Sequence, residues 1–386
     1  MVELSIVIPC LNEEETIGIC LKKACTTLDN NQVDYEVIVA DNNSTDRSIE
    51  ISSKFQKVKI ISVETKGYGA TLQAGIAQAS GKYVLMADAD DSYDFNDVMK
   101  FLQKLREGFE LVQGCRFPSG GGIIMPGAMP LSHRIFGNPF LSQLTRLLYN
   151  VPFKDIYCGM RAFKKTTYLK STYFSNGMVF AVENLIKLTI VGAKVCEVPI
   201  TLHKDKRVKG KSHLNTINDG LKTLKLLLIC NPKWLYFYPA LIIMPYLFAE
   251  IYTSYNITVH KDLLFDNILI NFFSIFAMST TILQLITLGV FSTLMSSQLG
   301  IIKKNFIIKL LTIFNLKKVL TILFVFIALF AYLVFKISEE QIRNIYYIFY
   351  TFLFGSFVIQ SIFNCLFISL LELNDANKKV SQDKSI

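Results

Sequence analysis

The stretch VLMADADDSY, Val84 to Tyr93, passes from apolar residues into three carboxylates within four positions. Asp88 and Asp90 stand two apart, so in extended geometry their side chains leave the same face. Crowded carboxylates at the end of a buried strand repel, and their pKa values rise unless a cation compensates. Mg2+ or Mn2+ suits such a pair, because these ions take one or two carboxylates and fill the remaining positions with water and phosphate oxygens. A metal-bridged diphosphate is therefore the chemistry this spacing suggests. Asp91, Ser92 or Asp94 could instead cap a helix over 95–106, a reading that leaves Asp88 unexplained.

Strand-like runs at 5–9, 36–41, 58–63, 83–87, 111–116 and 194–200 are the elements that would position these groups. Between the first four lie helical patterns over 13–28, 45–55 and 68–79, which implies βαβ units and a Rossmann-like, largely parallel sheet covered on both faces. Ligands of such sheets sit beyond the carboxyl ends of the strands. There the sequence places Pro9 to Glu13, Asp41 to Asp46, Lys66 to Gly69 and the aspartates after residue 87. Each cluster alone reads as a cap or a turn. Four on one rim read as a site.

The whole chain has 386 residues, a net charge of +9 and 51% hydrophobic residues against 18% charged. Its mean hydropathy of +0.37 is high for a soluble protein of this size. The excess lies in four apolar blocks, 234–253, 268–295, 319–335 and 345–371, each close to the length of a bilayer span. Pro239, Pro245 and Glu250 interrupt the first. Lys303, Lys304, Lys309, Lys317 and Lys318 fall between the second and third blocks with no acidic residue among them, which marks that loop as cytoplasmic. Four spans then place the first half and the tail on the cytoplasmic side of a multi-pass membrane protein. The expected organisation is a catalytic domain over 1–212, a juxtamembrane amphipathic helix or linker over 213–233, a four-helix membrane domain over 234–372 and a tail over 373–386. Eight cysteines form no CxxC pair and read as reduced thiols. The basic surplus fits phosphates or lipid headgroups; without aromatic interleaving it gives no support to a nucleic-acid partner.

IVIPCLNEEETI, VIVADNNSTD, KGYGATLQAGIAQASG, MADADDSYDF, DIYCGMRAF and EVPI, in this order over residues 3–215, resemble the family 2 glycosyltransferases. The likeness is greatest to the branch containing dolichyl-phosphate mannose and polyprenyl-phosphate glucose synthases. It implies the GT-A α/β fold and inverting, Mg2+- or Mn2+-dependent transfer from a nucleoside-diphosphate sugar. Carried over by position, Pro9, Asn12, Glu13, Asp41, Lys66, Gly67 and Asp88 would bind the nucleotide. Asp88, Asp90 and Ser92 would meet the metal. Asp88, Asp90, Asp91, Arg116 and Arg207 form the catalytic set. Arg116, Arg134, Asn138, Arg207, Lys209, Lys211 and His213 would serve the acceptor phosphate; His213 replaces the family's Lys, and Lys209 and Lys211 could supply the charge.

A polyprenyl phosphate acceptor is already anionic near neutral pH and needs no strong base. A sugar hydroxyl would need one, with Asp155, Glu183 and Asp91 as candidates. The basic segment followed by membrane spans favours the phosphate. Processive or non-processive transfer to a hydroxyl in cell-surface polysaccharide synthesis is the alternative, although the single tryptophan, Trp234, lacks the Q/RxxRW context of processive synthases. A domain that only binds or senses nucleotides, and a homo-oligomer, are also compatible with the sequence.

Overall fold

The computed structural model describes residues 2–207, 216–260, 265–302, 355 and 360. These residues fall into two compact units that divide after Leu227, residues 298–302 going with the first.

The strands of the first unit are β1 (Leu4–Cys10), β2 (Tyr35–Asp41), β3 (Val58–Ser62), β4 (Tyr83–Met86), β5 (Leu111–Cys115), β6 (Ile123–Ile124), β7 (Arg161–Lys164), β8 (Val195–Pro199) and β9 (Thr201–Leu202). Its helices are α1 (Ile17–Asn30), α2 (Ser48–Ser52), α3 (Tyr68–Gln78), α4 (Val98–Arg106), α5 (Asn138–Tyr149), α6 (Lys165–Tyr168), α7 (Phe180–Ile190) and α8 (Thr216–Ile229). Seven strands form one sheet in the order β3-β2-β1-β4-β7-β5-β8. All neighbours run parallel except β7, which lies antiparallel between β4 and β5 with Arg161 opposite both Met86 and Gln113. Each strand expected from the sequence forms. Strand β7 went unread because its four residues, Arg161 to Lys164, begin and end on a charge and offer no periodic signal.

Helices cover both faces of the sheet, so the middle of β1 (Ile6, Val7, Ile8), the middle of β2 (Val37, Ile38, Val39, Ala40) and all of β4 are apolar. Leu4, Ile6 and Ile8 pack with Ile17, Leu21 and Leu28 of α1. Helix α1 starts later than its pattern, because Glu13 to Thr16 form a turn in which the Glu13 carbonyl accepts from the Thr16 and Ile17 amides.

In the second unit, α9 (Tyr238–His260) carries Pro245 inside it, and α10 (Phe265–Gln298) follows. Lys233–Thr253 and Phe273–Gln298 are long and apolar enough to cross a membrane by length and composition. The third expected span, the tail and all of the fourth span but residues 355 and 360 lie outside the described residues, so the described helices cover the first two of the four spans.

Candidate functional site

At the carboxyl ends of β1, β2 and β4 the chain must turn sharply away from the sheet. It does so at Asn12, Asn43 and Asp91, whose φ angles are 57°, 68° and 56°. Asn and Asp are the non-glycine residues that tolerate this left-handed conformation best. The polar strand ends thus have a conformational cause as well as a chemical use. Between them opens a cavity of about 560 Å3.

Pro9, Leu11 and Glu13 line the cavity from the end of β1, Asn42 and Asn43 from β2, Lys66 to Tyr68 from the turn before α3, and Asp88 to Asp90 from β4. Arg207 and, from α8, Asn218, Asp219 and Lys222 complete the wall with Gly177 and Met178. Asn42 ties the loops together. Its amide donates to the Val63 and Thr65 carbonyls at 2.8 and 3.0 Å, and its Oδ1 accepts from the Gly67 amide at 2.9 Å. Gly67 has φ of 128°, a conformation that a side chain would strain.

Asp88 Oδ1 accepts a 2.9 Å hydrogen bond from the Tyr68 hydroxyl. Burial, reinforced by the charge of Asp90, pushes the Asp88 carboxyl up to about 7. Asp90 Oδ1 accepts from the Ser92 amide at 3.1 Å and from the Ser92 hydroxyl at 2.6 Å, while Oδ2 lies 3.5 Å from Arg207 Nη1. Arg207 also forks onto both oxygens of Glu13 and pairs with Asp205 at 2.7 Å. Glu13, Asp90 and Arg207 therefore form one ionic group at the rim.

Several expected site residues have other occupations. Asp91 is buried, with Lys23 at 2.7 Å on one oxygen and Lys206 at 2.5 Å on the other. Arg116 does not line the cavity: its guanidinium is bidentate to Asp155 at 2.7 and 2.8 Å, and its amide donates to the same carboxylate at 3.1 Å. Asn12 Oδ1 accepts from the Thr45 amide at 2.8 Å, and Asp41 accepts from the Asn43 and Ser44 amides, so both shape loops without lining the cavity. Ser92 reaches it only through Asp90. Arg134 is exposed, and Asn138 contacts Met129. Lys209, Lys211 and His213 lie outside the described residues.

The structure also brings forward residues that the sequence reading passed over. Tyr68 stood within the KGYG motif and Gly159 within DIYCGMRAF, but neither type signals its contact with Asp88. Asn218, Asp219 and Lys222 stood in a stretch read only for its apolar stripe.

Among the described residues no three His, Cys, Asp or Glu side chains gather to hold a metal. Asp88 and Asp90 supply two carboxylates to one cavity; burial, and after it the charge of Asp90, raises the pKa of Asp88, and a bound cation would offset both. That donor set fits an ion whose remaining ligands are phosphate and water.

A mostly parallel sheet with a cavity at its carboxyl edge and paired aspartates after β4 defines a GT-A α/β domain. Residues 5–168 match the model of Glycosyl transferase family 2, and the chain carries a family 2 glycosyltransferase domain. It is similar to the low-salt glycan biosynthesis hexosyltransferase Agl6 of Haloferax volcanii, 33% identical over 61% of this chain and 55% of that protein. A dolichyl-phosphate hexose transferase of the same organism is 29% identical over 51% of this chain and 82% of its own length. Among solved structures, glucosyl-3-phosphoglycerate synthase from Mycobacterium tuberculosis in complex with Mn2+, UDP and phosphoglyceric acid aligns with a TM-score of 0.45 and 20% identity, over 59% of this chain and 76% of that one.

Proposed function

We propose that this chain transfers a hexose from a nucleoside-diphosphate sugar of the GDP-mannose or UDP-glucose type to a polyprenyl or dolichyl phosphate at the cytoplasmic face of a membrane. The observation that carries this reading is the gathering of Asp88, Asp90, Glu13, Lys66 and Arg207 around one cavity at the strand ends. The similarity to a dolichyl-phosphate hexose transferase and the two apolar helices support the lipid acceptor.

Asp88 and Asp90 would hold Mg2+ or Mn2+, which when bound neutralises charge developing on the departing diphosphate. Lys66 and Arg207 add fixed positive charge on the same side. Pro9, Asn42 and Gly67 shape the walls that orient the donor. A further consideration favours a phosphate over a hydroxyl acceptor. Asp155, Glu183 and Asp91, the carboxylates considered as bases, pair with Arg116, Lys187, and Lys23 with Lys206 respectively, and none lines the cavity. A phosphate nucleophile needs none of them.

A donor screen on the purified protein with Mg2+ tests the reading, by measuring GDP or UDP release with and without a polyprenyl phosphate. Lipid-dependent release from one donor is expected. Equal release with a sugar alcohol in place of the lipid would point to the hydroxyl acceptor.

A further inference from the structure

Glu183, on α7, forms an ion pair with Lys187 one turn later, N to O 2.6 Å, and both side chains are at most 1% exposed. A buried pair of this kind adds little net stability, since apolar residues of the same volume often serve as well. Its contacts indicate another use. The Glu183 carboxylate accepts from two successive amides, Phe174 at 3.1 Å and Ser175 at 2.9 Å. Lys187 donates to the Thr172 carbonyl and lies over the Phe174 ring, 4.6 Å from its centroid. The pair thus grips the 172–175 strap.

That strap leads straight to the cavity. The Ser175 carbonyl accepts from Gln73 Nε2 at 3.1 Å, and the Asn176 carbonyl accepts from the Ala70 amide at 3.0 Å, both on α3. Gly69 lies so close that a Cβ there would come within 2.6 Å of Phe180 Cβ. The next strap residues, Gly177 and Met178, line the cavity beside Lys66, Gly67 and Tyr68. Tyr68 in turn donates to Asp88.

We propose that Glu183, held by Lys187, is a positioning residue for the donor half of the site: it fixes the strap that sets both the Gly177–Met178 wall and the turn before α3. This inference rests on the cavity being the nucleotide-sugar site.

The test uses the full chain, with Mg2+ and GDP or UDP as calorimetric probes, and compares the KM for the nucleotide sugar with the KM for polyprenyl phosphate. Glu183→Gln keeps one accepting oxygen and should raise nucleotide Kd and donor KM about tenfold, with acceptor KM changing less than about twofold. Gln73→Leu removes a strap bond without touching the buried pair and should shift the same two constants in the same direction, by less; it decides the matter alone if Glu183→Gln does not fold. Unchanged donor constants, or equal rises in donor and acceptor KM, would overturn the positioning role while leaving the proposed function intact. Wild-type protein that binds neither nucleotide would overturn both.

Discussion

Gly159 lies directly against Asp88: a Cβ at position 159 would come within 2.5 Å of Asp88 Oδ2, while Tyr68 holds the other oxygen at 2.9 Å. The carboxylate is thus clamped between a hydroxyl and a bare backbone. Gly159 is itself fixed, because its amide donates to the Tyr93 hydroxyl at 2.8 Å and Arg161 donates to the flanking Ile156 and Cys158 carbonyls.

Gly159→Ala should therefore displace the Asp88 carboxylate and lower kcat about 100-fold, the cost expected of a misplacement near 1 Å. The check is turnover beside the far-ultraviolet circular dichroism spectrum. Wild-type turnover in the alanine variant would show that the clamp does not matter.

The raised pKa of Asp88 gives a pH dependence with a definite sign. An aspartate titrates near 4 when unfolded and this one near 7 when folded, so the folded state holds the proton more tightly. Its stabilising contribution is complete below about 4 and is lost as pH rises through about 7. In EDTA, the thermal midpoint of the wild type should fall relative to Asp88→Asn across that window. Mn2+ should remove the difference at the alkaline end, with apparent Mn2+ affinity rising through about pH 7. Parallel midpoint curves for the two proteins in EDTA would contradict the assignment.

The strands and their polar ends were legible because a strand buried on both faces must be apolar throughout and must then turn where β1, β2 and β4 meet solvent. Lys66, Gly67, Asp88 and Asp90 were thereby placed on one rim from sequence. The ion pairs were not legible: Lys23 and Asp91 are 68 positions apart, and Arg116 and Asp155 are 39 apart, so only the folded sheet brings them together. Arg116 shows the consequence, since a basic residue at a strand end reads as a phosphate contact until its carboxylate partner is seen.

Because that pair is buried, removing one member strands the other. Asp155→Asn or Arg116→Met should cost about 3–5 kcal/mol in denaturant unfolding, whereas the double variant Arg116→Met with Asp155→Leu should cost less than the sum. Additive losses would mean that the two groups act separately.

Asp219 separates the acceptor classes. It is the carboxylate that α8 brings to the cavity wall. With a phosphate acceptor, Asp219→Asn should leave kcat within about threefold, because no proton has to be removed. A loss of 100-fold or more, of the size that general-base removal causes, would favour a hydroxyl acceptor.

The most direct measurement follows radiolabelled hexose from GDP-mannose or UDP-glucose into lipid, using purified full-length protein, polyprenyl phosphate and Mg2+, with Asp90→Asn in parallel. Wild type should yield a lipid-soluble product whose sugar is released by mild acid, and Asp90→Asn should yield none while remaining folded. Equal product from the Asp90→Asn protein, or label found only on sugar hydroxyls, would contradict the account.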